Sequence, residues 1–270
     1  MAKRNSYWQE RIREQEQKSY KRLNEETERE LAKLYQEQGE ALRLAILEVL
    51  TKIQDTKAAG EPIQANDLYR NRRYWALLDE INKRLKALGQ RQIEITEPAI
   101  VRAYQETIDL VDDSVRPIVG TTANVALMNA RSIDAKQIVN QTWCLDGKKF
   151  SDRVWNDKEK LIPQIKRALA DSLVQGKSPW EISKAMADRL NVSRENAYRL
   201  VRTETAHAQT YAQTERYKQY GFTHGRFLAS DTCCDECHEH DGEVYTLEEL
   251  EKMLPVHPRC TCTYTLVVGD

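Results

Sequence analysis

The chain has 270 residues, 40% of them hydrophobic and 31% charged, with a formal net charge of −1, which is typical of a globular protein with many exposed helices. Its amino-terminal sequence, "MAKRNSYWQERIREQEQK", is charged where a secretory signal would be apolar, and its most apolar run, "ALRLAILEVL", is far shorter than the roughly 20 residues that cross a bilayer. We therefore expect neither a secreted nor a membrane-spanning chain, but a soluble, intracellular protein in which clustered cysteines favour metal binding over disulfides.

Charge is distributed unevenly along the chain. Residues 160–226 contain 12 Lys and Arg against 6 Asp and Glu, whereas residues 227–270 contain 2 against 10. Ordinary solvated helix faces explain such a distribution, and so does a basic segment that meets phosphate or an acidic partner surface. Composition leaves both explanations open.

The first part of the chain, residues 1–149, is predicted to be an extended helical docking region. Between Leu31 and Ile53, apolar residues recur at steps of mainly three or four, which predicts an amphipathic helix with one buried face. Residues 3–30 are rich in Glu, Gln, Lys and Arg and have few apolar positions. We expect that segment to be helical only when it is docked on a partner.

A second helix is predicted after the break "AAGEP" at residues 58–62. It starts near Asp67 and ends at Gly89, and a further helix follows Pro98. The sequence "RPIVGTTANVA", around Gly120, is typical of a loop or of the start of a new unit.

Three helices are predicted in the next segment. The first opens with "FSDRVW" and ends at Gly176. Ser178 and the glutamate three residues later form a capping box that begins a second helix, which is expected to end near Leu190. The third helix covers roughly residues 194–220 and ends at Gly221. These helices lead directly into a cysteine-rich end.

Five of the six cysteines and three of the five histidines lie in one short stretch near the carboxyl terminus. Cys234 and Cys237 form C-x2-C, and His257 and Cys260 form H-x2-C. Zinc prefers four ligands in a tetrahedron, and each two-residue gap lets a tight turn present two ligands to one ion. The spacing predicts a zinc site made of Cys234, Cys237, His257 and Cys260, with Cys262 as the alternative ligand.

Other interpretations of this stretch stay open. Cys233, His238 and His240 are close in sequence to the predicted ligands, and free thiols in a small core or disulfides are alternatives to an ion. A catalytic zinc keeps a position for water near a carboxylate, which Asp231 or Asp241 would supply. Four protein ligands fill the zinc shell, which favours a structural ion.

The segments around the predicted ligands alternate between strand and helix signals. "GRFLAS", "GEVY" and "TYTLVV" are typical of short strands, and "TLEELEKML" is typical of a helix with a capping box at Thr246 and Glu249. The predicted fold class is mainly α, with a long helical amino-terminal region, a helical middle, and a small α+β zinc-stapled module at the carboxyl terminus. The second domain, residues 150–270, combines helices over 150–221 with a β-rich zinc-binding module over 222–270.

These segments also resemble a known family. "RLVRTETAHAQTYAQTERYKQYG", "SDTCCDECHEHDGEVY" and "HPRCTC" are similar to the carboxy-terminal domain of phage minor head proteins, the Mu F-like head morphogenesis family. The family's Arg-Thr-Glu segment falls on Arg202, Thr203 and Glu204, its Asp before the C-x2-C falls on Asp231, and its Asp-Gly falls on Asp241 and Gly242. The resemblance covers about residues 150–268. It implies structural positions around the zinc site for Arg202, Glu204, Asp231, Asp241 and Gly242.

The resemblance implies a phage minor capsid protein that associates with the portal during procapsid assembly and aids DNA packaging or ejection. Its implied partners are the portal protein, the scaffolding or major capsid protein, and DNA, with several copies in the virion. Its implied place is the capsid interior or the portal vertex, after assembly in the host cytoplasm. No catalytic residue is implied. A zinc-dependent enzyme that acts on nucleic acid and an autonomous DNA-binding module are the alternatives.

Overall fold

The computed structural model describes residues 2–55, 70–119, 135–144 and 146–267. In these residues the helices are α1 (Ala2–Gln54), α2 (Arg72–Val119), a 3-10 helix (Ala135–Asn140), α3 (Phe150–Val174), α4 (Pro179–Gln219), α5 (Asp235–Glu239) and α6 (Leu247–Met253). The strands are β1 (His224–Leu228), β2 (Val244–Thr246) and β3 (Thr263–Leu266). The described residues are mostly helical and carry a small carboxy-terminal sheet, which confirms the predicted fold class. None of the described helices is both long and apolar enough to span a membrane.

The amino-terminal segment is helical within the chain itself, although we expected it to need a partner. Glu16, Leu23, Asn24 and Thr27 lie on one side of α1 and are buried. Three of these four buried residues are polar, and Asn24 accepts a hydrogen bond from Thr205 at 3.1 Å. The sequence pattern concealed this buried face because hydrogen-bonded polar residues occupy positions where apolar ones would signal burial.

Helix α2 continues through Gly89 and Pro98, so the predicted end at Gly89 was wrong. A Cβ at Gly89 would lie 2.9 Å from the Trp155 ring, so this glycine permits close helix packing and does not end the helix. Pro98 has no N–H and so removes one helical hydrogen bond. The helix nevertheless continues past it, and the next two residues, Ala99 and Ile100, are fully buried. The predicted start near Asp67 and the predicted loop from residue 120 onwards lie outside the described residues.

Helix α4 is also continuous, whereas a break was expected after Leu190. Ser193 donates a hydrogen bond to Asp157 at 2.6 Å, and Asn196 donates to the same carboxylate at 3.0 Å. These contacts with α3 hold the segment in a helix where the local sequence suggested a turn. Both side chains of the Ser178 capping box contact the expected backbone groups.

The described residues form two compact units. The first comprises the described residues within 1–27, 96–147 and 199–270, and the second those within 28–95 and 148–198. The predicted boundary between residues 149 and 150 divides the chain sequentially and stays a prediction. The core of the second unit is made of apolar residues that include Leu42, Ile46, Leu77, Ile81, Ile165, Leu169, Ile182 and Met186.

A buried polar network also lies in the second unit. Lys158 is 1% exposed, and its ammonium donates hydrogen bonds to Tyr35 at 2.5 Å, Ser193 at 2.9 Å and Asp157 at 3.0 Å. Tyr35 in turn donates to Gln92 at 2.9 Å. Each donor of the ammonium therefore has an acceptor, as a buried charge requires.

The first unit contains a three-stranded antiparallel sheet in the order β2-β1-β3. Phe227 pairs with Tyr264 across β1 and β3, and both side chains are fully buried. Tyr264 is hydrogen-bonded to Thr214 of α4 at 2.6 Å, and its carbonyl accepts from Gln213 at 2.7 Å. The predicted strands and the helix capped by Thr246 are confirmed. This sheet and α4 position the cysteine-rich turns.

Candidate metal centre

Two tight turns in the first unit present the predicted ligands. Cys234 is the N-cap of α5 and Cys237 lies within that helix. In the second turn, the Cys260 N–H donates to the His257 carbonyl at 3.0 Å, and Arg259 adopts a left-handed conformation with φ 67°. Each two-residue gap thus closes into a turn, as the spacing predicted.

Three distances between ligand atoms match the edges of a zinc tetrahedron. His257 Nε2 lies 3.3 Å from Cys234 Sγ and 3.4 Å from Cys237 Sγ, and Cys237 Sγ lies 3.8 Å from Cys260 Sγ. Zinc–sulfur bonds of about 2.3 Å and zinc–nitrogen bonds of about 2.0 Å give tetrahedral edges of roughly 3.5 Å for N–S pairs and 3.8 Å for S–S pairs. The donor types suit zinc, and these distances suit it for His257 with Cys234 and Cys237 and for the pair Cys237–Cys260.

The ligand atoms form two overlapping groups. Cys234, Cys237 and His257 lie within 4.8 Å of one another, and so do Cys237, Cys260 and Cys262. Cys237 belongs to both groups, whereas the four predicted ligands do not form a single group. The assignment of the fourth ligand, Cys260 or Cys262, stays a prediction.

The imidazole of His257 is oriented by its backbone neighbour. Its Nδ1 lies 3.0 Å from the Pro258 carbonyl, which can only accept, so Nδ1 carries the proton and Nε2 presents its lone pair to the thiols. The same hydrogen bond raises the pKa of His257. A metal-ligating histidine is commonly held in one tautomer in this way.

The thiols differ in their protonation. The backbone N–H of Cys237 lowers the pKa of Cys234. A hydrogen bond from the Cys262 thiol lowers the pKa of Cys260 to about 5, and the same bond raises the pKa of Cys262. Burial raises the pKa of Cys237 to about 12. The cluster thus combines stabilised thiolates with a buried thiol whose deprotonation a nearby dication would favour.

All three residues of the Arg-Thr-Glu segment hold α4 to its surroundings. The side chain of Thr203 accepts a hydrogen bond from the Arg259 N–H at 3.2 Å, so α4 contacts the turn that carries His257 and Cys260. Glu204 is buried and accepts from the Trp143 indole at 3.0 Å. The carbonyl of Arg202 accepts from Tyr20 of α1 at 3.3 Å.

The acidic residues near the cysteines have structural contacts. Asp241 accepts a hydrogen bond from the Ala229 N–H at 2.8 Å, and Gly242 follows it with φ 83°. Asp231 is 78% exposed and lies 3.6 Å from the guanidinium of Arg13. The predicted structural residues therefore lie in the same unit as the cysteines. The Asp241 carboxylate contacts the backbone, and the Asp231 carboxylate contacts α1.

The additional residues of the stretch have separate positions. The His240 ring is hydrogen-bonded to Tyr245 at 2.8 Å and packs against Phe227. His238 is exposed, and Cys233 packs against the core around the sheet. Neither of the two metal-ligand groups includes them.

Sequence reasoning missed the contacts that Glu16 and Ser230 make next to the site. Glu16 of α1 accepts a hydrogen bond from Thr263, the residue after Cys262, at 2.5 Å. Cys262 itself accepts from the Ser230 N–H at 3.4 Å. The only signal for Glu16 was its place in a helix-forming segment, and nothing local indicated that its carboxyl is buried.

The fold and the site define a class: a helical protein whose carboxy-terminal α+β module carries a Cys/His cluster able to hold a metal ion. Residues 163–265 match the family described as Phage Mu protein F like protein. This match supports a phage Mu F-like head morphogenesis protein. A match to this family indicates a structural, head morphogenesis role and implies interaction with other virion components. No curated protein and no solved structure matches the chain.

Proposed function

We propose that this chain is a minor head protein that associates with the portal while the phage procapsid assembles. The observation that carries the proposal is the family match over residues 163–265, which includes all of α4 and every predicted metal ligand. The scaffolding protein, the major capsid protein and DNA are further partners in this proposal. The protein is then placed in the virion, in the capsid interior or at the portal vertex, in several copies.

The proposal includes a structural zinc ion held by Cys234, Cys237, His257 and Cys260, with Cys262 as the alternative fourth ligand. Two observations support it: the distances between ligand atoms and the tautomer of His257. Zinc would join the α5 turn to the turn before β3 and stabilise a small module.

A structural role for the ion is favoured over catalysis. The side chain of Asp241 accepts a backbone hydrogen bond, and that of Asp231 pairs with Arg13. Neither carboxylate is therefore held as a general base next to a metal-bound water. We propose no enzymatic step for this protein.

The long helices are proposed to supply the docking surface for the portal. Helix α1 has 53 residues and α2 has 48, and both carry exposed charged side chains paired at steps of three or four, such as Lys18 with Glu14 and Lys83 with Asp79. Charged surfaces of this kind favour a partner that presents complementary charge.

The test is co-expression of the full chain with the portal protein of the same phage, followed by affinity capture of the portal. We expect the chain to be retained on the portal and to be present in purified virions. A truncation that removes α1 is unsuitable, because buried residues of α1 belong to the core of the first unit. A folded, full-length chain that neither binds the portal nor enters virions would overturn the proposal.

A further inference from the structure

A small cavity lies in the first unit, beside the cysteine-rich module. Cys262, the alternative metal ligand, lines it, but Cys234, Cys237, His257 and Cys260 do not. Its volume is about 30 Å³. A cavity needs roughly 10–15 Å³ of this kind of volume to hold one water molecule. Its lining comes from α1, α4 and the segment before β3, and includes Glu16, Tyr20, Gln209, Thr261 and Cys262.

Two of the lining side chains have buried polar atoms that lack a hydrogen-bond partner among the described residues. One is Oε1 of Glu16, and the other is Nε2 of Gln209. Glu16 is only 6% exposed, and its second oxygen already accepts from Thr263 at 2.5 Å. An acceptor and a donor are thus both without partners on the lining of one cavity, and leaving each unpaired would cost about 1–3 kcal/mol.

We propose that one ordered water molecule occupies this cavity and bridges Glu16 Oε1 to Gln209 Nε2. The water accepts a hydrogen bond from the Gln209 amide and donates one to Glu16 Oε1. If Oε1 carries a proton, the water accepts a hydrogen bond from the carboxyl instead and still accepts one from Gln209. Gln209 offers N–H donors at this point, which disfavours a metal cation. The bridge would complete the contact of α1 with α4 and with the Cys262–Thr263 segment, and it does not depend on the proposed assembly function.

The first test is a crystal structure of the full, unsubstituted chain at a resolution where ordered water is visible. We expect one density peak at roughly 2.7–3.2 Å from both Glu16 Oε1 and Gln209 Nε2. Direct contact between the two side chains, with no peak, would overturn the proposal. A peak with several oxygen ligands at roughly 2.4 Å would mean a cation and would overturn it as well.

The second test measures amide hydrogen exchange of residues 13–27 in the variant Gln209→Met, which keeps the side-chain length but removes the donor. We expect these amides to exchange roughly three- to tenfold faster, the factor for the loss of one hydrogen bond. Gln15→Met is the control, because Gln15 does not line this cavity and should leave the exchange unchanged. Equal exchange in the unsubstituted chain and a folded Gln209→Met variant would contradict the bridge.

Discussion

The hydroxyl of Thr203, within α4, accepts a hydrogen bond from the backbone N–H of Arg259 at 3.2 Å. Arg259 has a left-handed backbone conformation and lies between His257 and Cys260 in the turn that presents both predicted ligands. The contact therefore links the helix that carries the Arg-Thr-Glu segment to the candidate metal centre. It gives a structural reason for a threonine at this position of α4.

Substitution of Thr203 by valine removes this acceptor at nearly constant volume. We expect the free energy of unfolding to fall by about 1 kcal/mol, the usual contribution of one hydrogen bond, and zinc to be lost faster to a chelator. Denaturant unfolding and the rate of zinc transfer to a coloured chelator measure the two effects. Thr203→Ser keeps the hydroxyl and should retain most of both properties. If the Thr203→Val and Thr203→Ser variants lose zinc at the same rate, the Thr203 hydroxyl does not stabilise zinc binding at the candidate metal centre.

Removal of zinc should destabilise the carboxy-terminal module. The purified chain should contain one zinc ion by elemental analysis, and a chelator should lower its melting temperature. Zinc-free protein whose melting is indifferent to the chelator would exclude the site.

Substitution of single cysteines should identify the ligands. Cys237→Ser should abolish zinc binding, because Cys237 belongs to both groups of ligand atoms. Comparison of Cys260→Ser with Cys262→Ser distinguishes the two candidates for the fourth ligand: the true ligand loses zinc and the other cysteine retains it. Cys144→Ser, outside both groups, is the control and should keep a full zinc content. Zinc content equal in all four variants would reject the assignment.

The parts of the fold that were predictable from the sequence depend on residues close together in the chain. The capping boxes at Ser178 and Thr246 follow from backbone chemistry within a few residues, and so does the end of α4 at Gln219, two residues before Gly221. The two ligand pairs were predictable for the same reason, because a two-residue gap determines the turn that presents each pair.

The features that the sequence did not reveal depend on contacts between distant residues. Helix α4 continues through Ser193 because Asp157 of α3 accepts its hydrogen bond, and Gly89 stays helical where Trp155 packs closely. The side chain of Glu16 resembles that of any exposed glutamate in a charged helix until its partner Thr263 is known. The contact between α1 and the carboxy-terminal module could therefore not be predicted from residues that are close together in the sequence.

The stability of the protein should fall as pH rises from about 5 to about 8 because of Glu16. Burial raises the pKa of its carboxyl to about 8, so in this pH window the folded state binds a proton that the unfolded state has released. The folded state is then favoured at low pH, and its advantage decreases by at most about 1.4 kcal/mol per pH unit. Glu16→Gln, which stays neutral, should be more stable than the unsubstituted chain at pH 8, and the difference should shrink towards pH 5.

Urea unfolding at several pH values between 5 and 8 measures this effect. Glu14→Gln is the matched control, because Glu14 is an exposed residue of the same helix that pairs with Lys18, and its substitution should leave the pH profile unchanged. A constant stability difference between Glu16→Gln and the unsubstituted chain across this window would show that Glu16 is not buried as a neutral acid.

The ion pair between Asp112 and Arg216 should hold α2 to α4 in the first unit. The guanidinium donates to the two carboxylate oxygens at 2.5 and 2.7 Å, and both side chains are 13% exposed. Tyr220 also donates to Asp112 at 3.0 Å. Asp112→Asn leaves the Arg216 charge largely buried without its counter-ion. We therefore expect the free energy of unfolding to fall by about 2 kcal/mol, between the values for exposed and fully buried pairs.

Asp113→Asn is the control, since Asp113 is 78% exposed and pairs with Arg116 at the surface. It should change stability by less than about 0.5 kcal/mol. Equal effects of the two substitutions in denaturant unfolding would mean that the Asp112 pair is open to solvent.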